Sequence, residues 1–395
     1  MKIIDAKTFM VANPPPSFGG AYWAFVKLTA DNGISGIGEA YGAPFHPHAL
    51  TAMFADVCAR HVIDADPFDT EKLWKIIYAR NYTQRPDAGL CAVLSAVDMA
   101  CRDMVGKELG VPVYKLLGGM VRERLRAYTY LYPQEGDHGN VYTDADLAAE
   151  RAAAYARQGF TAVKFDPLNA YGAFDPRQIS LEELSRAEDF AGKIREAVGG
   201  QCDLLIGTHG QMTPAAAIRL SQRLEKYQPL WLEEPTPPEN PAAMAQVARQ
   251  STIPIAAGER LCGLHEFARL LEAQAAAILQ PAPGRVGGIG EMKKIAALAE
   301  SRHVHLAPHL YCGPVAAAAN IHVAASIPNF LILECVQTLG GFHADILQTP
   351  LRWEDGYVLV SQAPGLGVEL NEEVAAAHPY NGDALHLTPS SLPMN

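Results

Sequence analysis

Three strand-like segments place Gly207, Glu233 and Glu259 at an even spacing along the chain. Gly207 ends the run DLLIG, Glu233 lies in LWLEEP and Glu259 ends IPIAAGE, and 26 residues separate each position from the next. One strand–helix unit of a parallel barrel takes about that length, so the spacing predicts that all three lie at the same end of consecutive strands. Two glutamates at neighbouring strand ends favour a site for a hard cation such as Mg²⁺, which binds oxygen ligands. The third position, Gly207, offers no side-chain oxygen.

An alternation of strands and helices begins at about residue 126. Amphipathic, alanine-rich segments separate most of eight β-rich runs: RAYTYLY, TAVKFDP, DLLIG, LWLEEP, IPIAAGE, AAILQPA, VHLAPH and FLILE. Eight alternating units predict a parallel α/β barrel with its active site at the carboxyl ends of the strands. We therefore expect a barrel domain over residues 126–350.

The residues before the barrel predict a smaller α+β domain over 1–125. The runs YWAFVKLTAD and SGIGEAYG flank Asp31-Asn32-Gly33, which predicts a β-hairpin turn. Apolar residues recur at about 3.6-residue intervals between 48 and 118, which is typical of helices. The Pro- and Gly-rich segment 351–395 contains the strand-like WEDGYVLV and is expected to return to the first domain.

The composition argues against several classes of function. A formal net charge of −11 makes nucleic acid an improbable partner because phosphate binding needs a basic face, whereas a small anionic substrate needs only a local positive site. The sequence contains no run of 18 or more apolar residues, so no membrane span is predicted. The seven cysteines form no Cys-x-x-Cys pair and no export signal precedes them, which predicts reduced, buried thiols and a cytoplasmic protein.

Several segments in this order resemble the enolase superfamily and, within it, the mandelate racemase-like subgroup. AVDMACRDMVGKELGVPVYKLLGG is similar to the end of that family's capping domain, and LWLEEP, AAGER, GRVGGI and HLAPHLYCG resemble the strand ends of its barrel. The resemblance covers nearly the whole chain and implies a modified TIM barrel, (β/α)₇β, with an N-terminal α+β capping domain. It also implies a cytoplasmic, homo-oligomeric Mg²⁺ enzyme that removes the proton α to a carboxylate and stabilises the enediolate.

The resemblance assigns roles to the three evenly spaced positions. Glu233 and Glu259 correspond to two metal ligands, and Gly207 stands where the family has an aspartate ligand. His209, two residues further on, has three roles open: a nitrogen ligand of the metal, a general acid that protonates a leaving hydroxyl, or a hydrogen-bonding residue of the site. Solvation or pairing with a nearby arginine is the alternative for both glutamates.

The segment AVKFDP resembles the family's Lys-x-Lys strand end with one lysine replaced. Lys164 corresponds to the first lysine, and Asp166 stands where the second would be. A racemase that uses two lysine-assisted bases is therefore not expected, because the first lysine normally lowers the pKa of the second. Lys164 is expected to act as a cation beside the substrate carboxylate or the enediolate, with a surface lysine as the alternative. Asp166 is expected to contact the substrate.

His309 and Glu334 complete the predicted catalytic set. His309 matches the histidine of a His–Asp dyad, but Ala282 stands at the aspartate position. His309 remains the candidate general base or acid because imidazole titrates near neutral pH, and Gln280 is the candidate to hold its other nitrogen. Glu334 matches a carboxylic acid that helps hold the substrate, which requires a raised pKa. The alternatives are a structural histidine and a solvated or arginine-paired glutamate.

Substrate choice is expected to come from two loops of the capping domain, PPPSFGGAYW (14–23) and YGAPFHPH (41–48). Tyr22 and His46 in these loops, and Tyr311 in the barrel, are the candidate substrate contacts. The glycine-rich VGGIG (286–290) lacks the Gly-x-Gly-x-x-Gly spacing and is interpreted as close backbone packing at a helix start rather than a phosphate-binding loop.

These assignments predict Mg²⁺-assisted removal of the proton α to the carboxylate of a sugar-derived acid. The outcome is dehydration or cycloisomerisation, which makes the protein a lyase or an isomerase, and the GTHGQ segment is similar to that of sugar-acid cycloisomerases. The alternative is a degenerate member of the family that binds an acid without efficient catalysis, because Gly207 and Ala282 replace two family aspartates.

Overall fold

Two β-sheets organise the chain, a three-stranded sheet near the N-terminus and a ten-stranded sheet that forms the barrel. The computed structural model describes residues 1–42, 46–80, 82, 85–168 and 178–386. The middle of the second predicted substrate loop, residues 43–45, therefore lies outside the described residues. The seven cysteines are free and buried, as the sequence predicts. Among the described residues, no helix combines the length and apolar character that crossing a bilayer requires.

The capping domain is an antiparallel sheet covered by helices. Its elements are β1 (Ile3–Ala12), β2 (Tyr22–Ala30), β3 (Ser35–Ala40), α1 (Pro47–Val57), α2 (Thr70–Arg80), α3 (Ala88–Glu108) and α4 (Val113–Leu116). Two glycines of β3 let the long helix α3 approach the sheet closely. A Cβ on Gly38 would lie 1.8 Å from the carbonyl oxygen of Ala96, and one on Gly36 would lie 2.1 Å from that of Ala100. No larger residue fits either position without moving the helix.

The eight predicted β-rich runs all form strands of one barrel. The strands are β4 (Arg124–Tyr130), β5 (Ala162–Phe165), β6 (Asp203–Gly207), β7 (Trp231–Glu233), β8 (Ile255–Ala257), β9 (Ile278–Leu279), β10 (His305–Leu306) and β11 (Leu333–Cys335). Neighbouring strands pair in parallel, β11 pairs with β4, and a bridge between Leu306 and Phe330 joins β10 to the segment that leads into β11. The predicted closed parallel barrel is therefore confirmed.

Seven helices connect the eight barrel strands within the described residues. They are α5 (Ala145–Arg157), α6 (Leu181–Val198), α7 (Pro214–Leu224), α8 (Pro241–Gln250), α9 (Gly263–Glu272), α10 (Ile289–Glu300) and α11 (Pro314–Ser326). This alternation is the (β/α)₇β arrangement that the resemblance implies. Side-chain caps begin several of the helices: Ser180 and Glu183 form a capping box at α6, and Thr213 caps α7 ahead of Pro214.

The capping domain is joined to the barrel by buried hydrogen bonds. The carboxylate of Glu39 on β3 accepts from the backbone N–H groups of Gly313 (2.5 Å) and Ala316 (2.9 Å), at the start of α11. Asp98 of α3 accepts from the backbone N–H of Gly290 (3.1 Å) at the start of α10. A Cβ on Gly288 would lie 2.6 Å from the Cβ of Asp98, so VGGIG packs closely against the capping domain, as the sequence predicts.

The C-terminal segment extends the barrel sheet and then lies against β1. Its elements are α12 (Phe342–Asp345), β12 (Trp353–Glu354), β13 (Tyr357–Leu359) and α13 (Glu372–Ala377). β13 pairs antiparallel with β4, and the backbone N–H of Ala12 donates to the carbonyl of His378 at 2.8 Å. Glu372 forms ion pairs with Lys7 and Lys27. The domain limits at 125 and 350 stay predictions of the sequence, although β4 begins at Arg124.

Candidate active site

A layer of buried residues closes the inside of the barrel below the strand ends. Each strand or its immediate extension contributes one residue: Tyr128, Ala162, Leu205, Trp231, Ala256, Ile278, Ala307 and Ile332. Tyr128 and Trp231 are the largest, and their ring centroids lie 5.4 Å apart in an edge-to-face arrangement. Because this layer is packed with side chains, chemistry is confined to the positions above it.

The next inward-facing position on each strand is two residues further along, because side chains alternate between the two faces of a strand. These positions form what we call the mouth layer: Tyr130, Lys164, Gly207, Glu233, Gly258, Gln280, His309 and Glu334. Four of the predicted functional residues are therefore placed together by strand alternation alone. Glu259 joins them for a different reason. Gly258 adopts φ +128°, which interrupts the alternation, and the carboxylate of Glu259 then lies beside His309.

Lys164 lies at the centre of the mouth layer between two carboxylates. Its Nζ is 2.6 Å from Oε1 of Glu233 and 3.3 Å from Oε1 of Glu334, and its side chain is 2% exposed. Burial by itself lowers the pKa of Lys164, but the charges of Glu233 and Glu334 outweigh burial and raise that pKa well above its usual value. Lys164 is therefore a buried ammonium ion, and the alternative of a surface lysine is wrong.

The second carboxylate oxygen of Glu233 is held by two neutral donors. Oε2 accepts from Nε2 of Gln280 at 2.7 Å and from Nε1 of Trp231 at 3.0 Å. The expectation that Gln280 holds a nitrogen of His309 is wrong, because Oε1 of Gln280 and Nδ1 of His309 both lack a hydrogen-bond partner among the described residues. The Gln280 amide instead donates to the anionic Glu233. Neighbouring Glu234 accepts from Nε of Arg260 at 2.6 Å.

Gly207 provides the space that the Lys164 side chain occupies. Gly207 is the register partner of Glu233 across β6 and β7. A Cβ at position 207 would lie 3.1 Å from Cε of Lys164, closer than an ordinary van der Waals contact. An aspartate at this position would therefore require the Lys164 side chain to shift by a few tenths of an ångström.

His309 is buried beside two carboxylates but lacks a partner for one ring nitrogen. Its Nε2 lies 3.4 Å from Oε2 of Glu259 and 3.9 Å from Oε2 of Glu334. Within the described residues Nδ1 has no hydrogen-bond partner, and Ala282 offers no carboxylate in its place. Burial lowers the pKa of His309 to about 4, since Glu259 only partly opposes burial while Lys164 adds to it. His309 is therefore neutral at physiological pH.

His209, which follows the end of β6, has surroundings that raise its pKa, in contrast to His309. Its Nδ1 lies 3.6 Å from Oδ2 of Asp166, and the same carboxylate oxygen accepts from Nε2 of Gln211 at 2.7 Å. Burial lowers the pKa of His209, but the hydrogen bond with Asp166 and the charge of Glu259 outweigh it, so the pKa is raised. The structure thus places Asp166 against His209. The expected contact between Asp166 and substrate stays a prediction.

Glu334 is held in the mouth layer by a backbone donor. The N–H of Leu310 donates to its Oε2 at 2.8 Å, while Lys164 lies beside its other oxygen. Burial raises the pKa of Glu334, and Lys164 only partly opposes this. The direction of the shift agrees with the raised pKa that its predicted role requires.

The predicted substrate contacts separate into two groups. Tyr22 and Tyr311 lie near His386, with ring-centroid distances of 5.6 Å and 6.1 Å. His46 is exposed at the start of α1, where its Nδ1 accepts from the backbone N–H of His48 at 3.3 Å. The structure therefore brings Tyr22 and Tyr311 together above the barrel, whereas His46 contacts its own helix.

The sequence suggested Arg285 only as a possible partner of Glu233 or Glu259, included Tyr41 only as the first residue of the loop 41–48, and gave no role to His386. The guanidinium of Arg285 lies 4.2 Å from the ring centroid of Tyr41, and its Nη1 donates to the carbonyl oxygen of Glu259 at 3.2 Å. The Tyr41 ring lies 5.4 Å from His309 and 5.2 Å from His386. Arg285 stands in the GRVGGI segment after β9, so its position at a strand end could have indicated a site residue. His386 follows a Pro- and Gly-rich stretch without periodicity, and nothing in the sequence indicated its position.

The residues of the mouth layer do not fit the predicted magnesium site. Gly207 provides no oxygen, and both oxygens of Glu233 already accept from N–H donors, one of them the Lys164 ammonium. Across the described parts of the chain, no three His, Cys, Asp or Glu side chains are grouped so that they could hold a metal ion. His209, the predicted nitrogen ligand, instead lies beside Asp166.

Comparison with known families agrees with this architecture over most of the chain. Residues 9–118 match the mandelate racemase/muconate lactonizing enzyme N-terminal domain, and residues 146–374 match the enolase C-terminal domain-like family. The chain belongs to the enolase superfamily. The predicted fold class and mandelate racemase-like subgroup are therefore confirmed.

Individual relatives match this superfamily member over most of their own length. A D-galactonate dehydratase of Ralstonia nicotianae is 35% identical over 382 residues, which cover 94% of this chain and 93% of that protein. A D-xylonate dehydratase of Haloferax volcanii is 30% identical over 388 residues, which cover 97% of this chain and 90% of that protein. A solved structure from Labrenzia alexandrii DFL-11, whose name places it in the mandelate racemase/muconate lactonizing enzyme group, is 56% identical. The superposition covers 98% of this chain and 99% of the chain in that structure, with a TM-score of 0.96. The prediction of an enzyme related to sugar-acid lyases is confirmed.

Proposed function

We propose that this enzyme removes the proton α to the carboxylate of a sugar-derived acid and then expels the β-hydroxyl as water. The observation that carries the proposal is the placement of His309 and His209. They follow β10 and β6, which are four strands apart in a closed ring of eight and therefore lie on opposite sides of the barrel mouth. A substrate lying between them would have a base on one side and an acid on the other.

The partners of the two histidines support opposite proton roles. His309 is neutral, because burial lowers its pKa to about 4, and it can accept the α-proton on Nε2. Asp166 and Glu259 raise the pKa of His209 against the effect of burial, which keeps a proton available for the departing hydroxyl. Groups whose environments drive their pKa values apart are the usual sign of an acid and base assignment.

Bond changes in the proposed reaction balance without an added reactant. His309 takes the proton from the carbon next to the carboxylate, the β-carbon–oxygen bond breaks, and His209 protonates the hydroxyl so that it leaves as water. The product is an enol, which becomes the 2-keto-3-deoxy acid when the β-carbon takes a proton from solvent. Lys164 stabilises the negative charge that develops on the carboxylate side during the first step.

Arg285 is the candidate anchor for the substrate carboxylate. Among the described residues its guanidinium forms no ion pair, and its Nε has no hydrogen-bond partner. It lies against Tyr41 and the carbonyl of Glu259, next to the His309 side of the mouth. A planar guanidinium binds a carboxylate with two parallel hydrogen bonds, which would fix the orientation of the α-carbon.

The names of the relatives support an aldonic acid as the substrate class. D-galactonate and D-xylonate dehydratases share about a third of their residues with this chain over nearly its full length. We therefore propose a linear sugar acid with hydroxyl groups on the α- and β-carbons. The cytoplasmic location and the homo-oligomer stay predictions, and size-exclusion chromatography with light scattering tests the second.

The experiment that tests this function is a screen of acid sugars, including galactonate, xylonate and their epimers, for formation of a 2-keto-3-deoxy acid. We expect at least one substrate to be dehydrated, and the variants His309→Asn and His209→Asn to lose that activity. His303→Asn is the matched control, because His303 is exposed and, like His209, adopts a positive φ that asparagine tolerates. Isomerisation to a lactone or cyclic ether would point to a cycloisomerase, and binding without turnover would support the degenerate alternative.

A further inference from the structure

The mouth layer already contains a cation at Glu233, the carboxylate that the sequence resemblance assigns to metal binding. The Lys164 ammonium lies 2.6 Å from Oε1 of Glu233 and 3.3 Å from Oε1 of Glu334. We propose that this ammonium takes the place of a divalent cation, so that Glu233 and Glu259 bind no Mg²⁺ in this chain. The part of the proposal that concerns binding stands by itself, whereas any role of the ammonium in the reaction rests on the proposed function.

Glycine at position 207 leaves room for the lysine side chain beside Glu233. A Cβ there would lie 3.1 Å from Cε of Lys164, tighter than an ordinary contact, so an aspartate would require the lysine side chain to shift by a few tenths of an ångström. Glycine at 207 therefore provides no oxygen ligand for a metal ion, and it lets Lys164 contact Glu233 without that shift.

Both carboxylate oxygens of Glu233 already have N–H donors. Lys164 donates to Oε1, while Gln280 and Trp231 donate to Oε2 at 2.7 Å and 3.0 Å. A magnesium ion bound to Oε1 at about 2.1 Å would lie no more than about 5 Å from the ammonium, with both positive charges buried. Mg²⁺ also requires near-octahedral oxygen coordination, which a layer with Gly207 and Gly258 at the ends of β6 and β8, on either side of β7, does not provide.

Removing the lysine would leave its carboxylate partners uncompensated. Glu233 and Glu334 are 1% and 4% exposed, and an isolated buried carboxylate is strongly disfavoured. Lys164 is thus the group that makes this cluster of acids compatible with burial. An ammonium differs from Mg²⁺ in that it carries one charge, donates hydrogen bonds and cannot be removed by a chelator.

The test is a direct measurement of bound metal in wild-type enzyme. We expect wild-type protein, dialysed against millimolar Mg²⁺ and analysed by plasma mass spectrometry, to retain no more metal than the Glu233→Gln variant. Isothermal titration with Mn²⁺ should show no saturable binding. The double variant Gly207→Asp with Lys164→Ala restores the third carboxylate and removes the ammonium, and we expect it to gain close to one Mn²⁺ per chain. Lys193→Ala, which removes a partly exposed lysine on α6, should match the wild type.

The wild-type measurement decides the proposal even where a variant fails to fold. Close to one Mg²⁺ per wild-type chain, lost in Glu233→Gln, would overturn it. A wild type that binds no metal and dehydrates no acid sugar would leave this proposal in place while the proposed function fails. A wild type that binds metal and dehydrates a sugar acid would overturn this proposal and leave the proposed function in place.

Discussion

The Nζ of Lys164 and Oε1 of Glu233 lie 2.6 Å apart, and both side chains are almost fully buried. This ion pair connects β5 to β7 across Gly207 of β6, the strand between them. Glycine at position 207 therefore provides no oxygen ligand and leaves the Lys164 side chain room to reach Glu233. The proposed function and the proposed loss of metal binding both depend on this relationship.

Removal of the Lys164 charge should affect both stability and activity. In Lys164→Ala, Glu233 and Glu334 lose their buried cation, so we expect the free energy of unfolding to fall by about 3 kcal/mol, the usual cost of breaking a buried pair. Turnover should fall by at least about a hundredfold, because the charge that forms in the first step is no longer stabilised. Chemical denaturation and steady-state kinetics measure the two effects, with Lys193→Ala as the control. Wild-type stability and turnover in Lys164→Ala would show that the pair has neither role.

The pH dependence of activity should report the contact between Asp166 and His209. Asp166 raises the pKa of His209, and the proposed acid must be protonated, so activity should fall at high pH as His209 loses its proton. In Asp166→Asn the pKa of His209 falls, and the alkaline limb of the kcat/KM profile should shift to lower pH. The asparagine oxygen can keep the hydrogen bond from the backbone N–H of Leu168, whereas the bond that Gln211 donates to the second oxygen of Asp166 is lost, so thermal unfolding of the variant is measured alongside the profile. An unchanged alkaline limb would exclude His209 as the acid.

Loss of the Arg285 guanidinium should weaken substrate binding more than it slows the reaction. We expect Arg285→Gln to raise KM for the acid substrate by about tenfold or more, since a carboxylate loses a charge-assisted hydrogen-bonding partner, with a smaller change in kcat. Arg302→Gln is the control, because Arg302 is exposed in the turn after α10. A fall in kcat at constant KM would instead place Arg285 with the groups that act only in the transition state.

His322 provides a test of the fold that is independent of the mouth layer. Its Nδ1 accepts from the backbone N–H of Tyr114 at 3.3 Å and its Nε2 lies 3.0 Å from the carbonyl of Leu366, so the buried ring is neutral. Burial lowers its pKa from 6.5 to about 4, and the unfolded chain therefore binds a proton that the native state does not. Between pH 6.5 and 4 this difference makes stability fall as the pH falls.

The His322→Gln variant isolates that contribution from other titrating groups. We expect the stability of the wild type relative to His322→Gln to decrease by about 2 kcal/mol from pH 7 to pH 5, as the pKa difference requires. Urea unfolding of both proteins at the two pH values measures it. A relative stability that is constant, or that rises toward pH 5, would mean that the native ring already carries a proton.

The sequence predicted the barrel because each strand has a short β-rich run and most connections are amphipathic, although the helix α11 is buried throughout. It also placed Gly207 and Glu233 correctly, since an even spacing of strand units preserves the register between neighbours. Glu259 reaches the site because of the positive φ of Gly258, and the spacing of residues in the sequence does not predict that backbone conformation. Lys164 and Gln280 have long side chains whose partners depend on which carboxylate is nearest in the folded barrel. Their pairing with Glu233 therefore could not be read from the order of residues.

The most direct test is whether enzyme freed of divalent metal with a chelator still dehydrates an acid sugar in deuterated water. We expect wild-type enzyme to form the 2-keto-3-deoxy acid, with deuterium at the carbon that lost the hydroxyl. The same reaction should be lost in His309→Asn and retained in His303→Asn. Activity that disappears on chelation and returns with Mg²⁺ would contradict the role given to Lys164, and unchanged activity in His309→Asn would contradict the role given to His309.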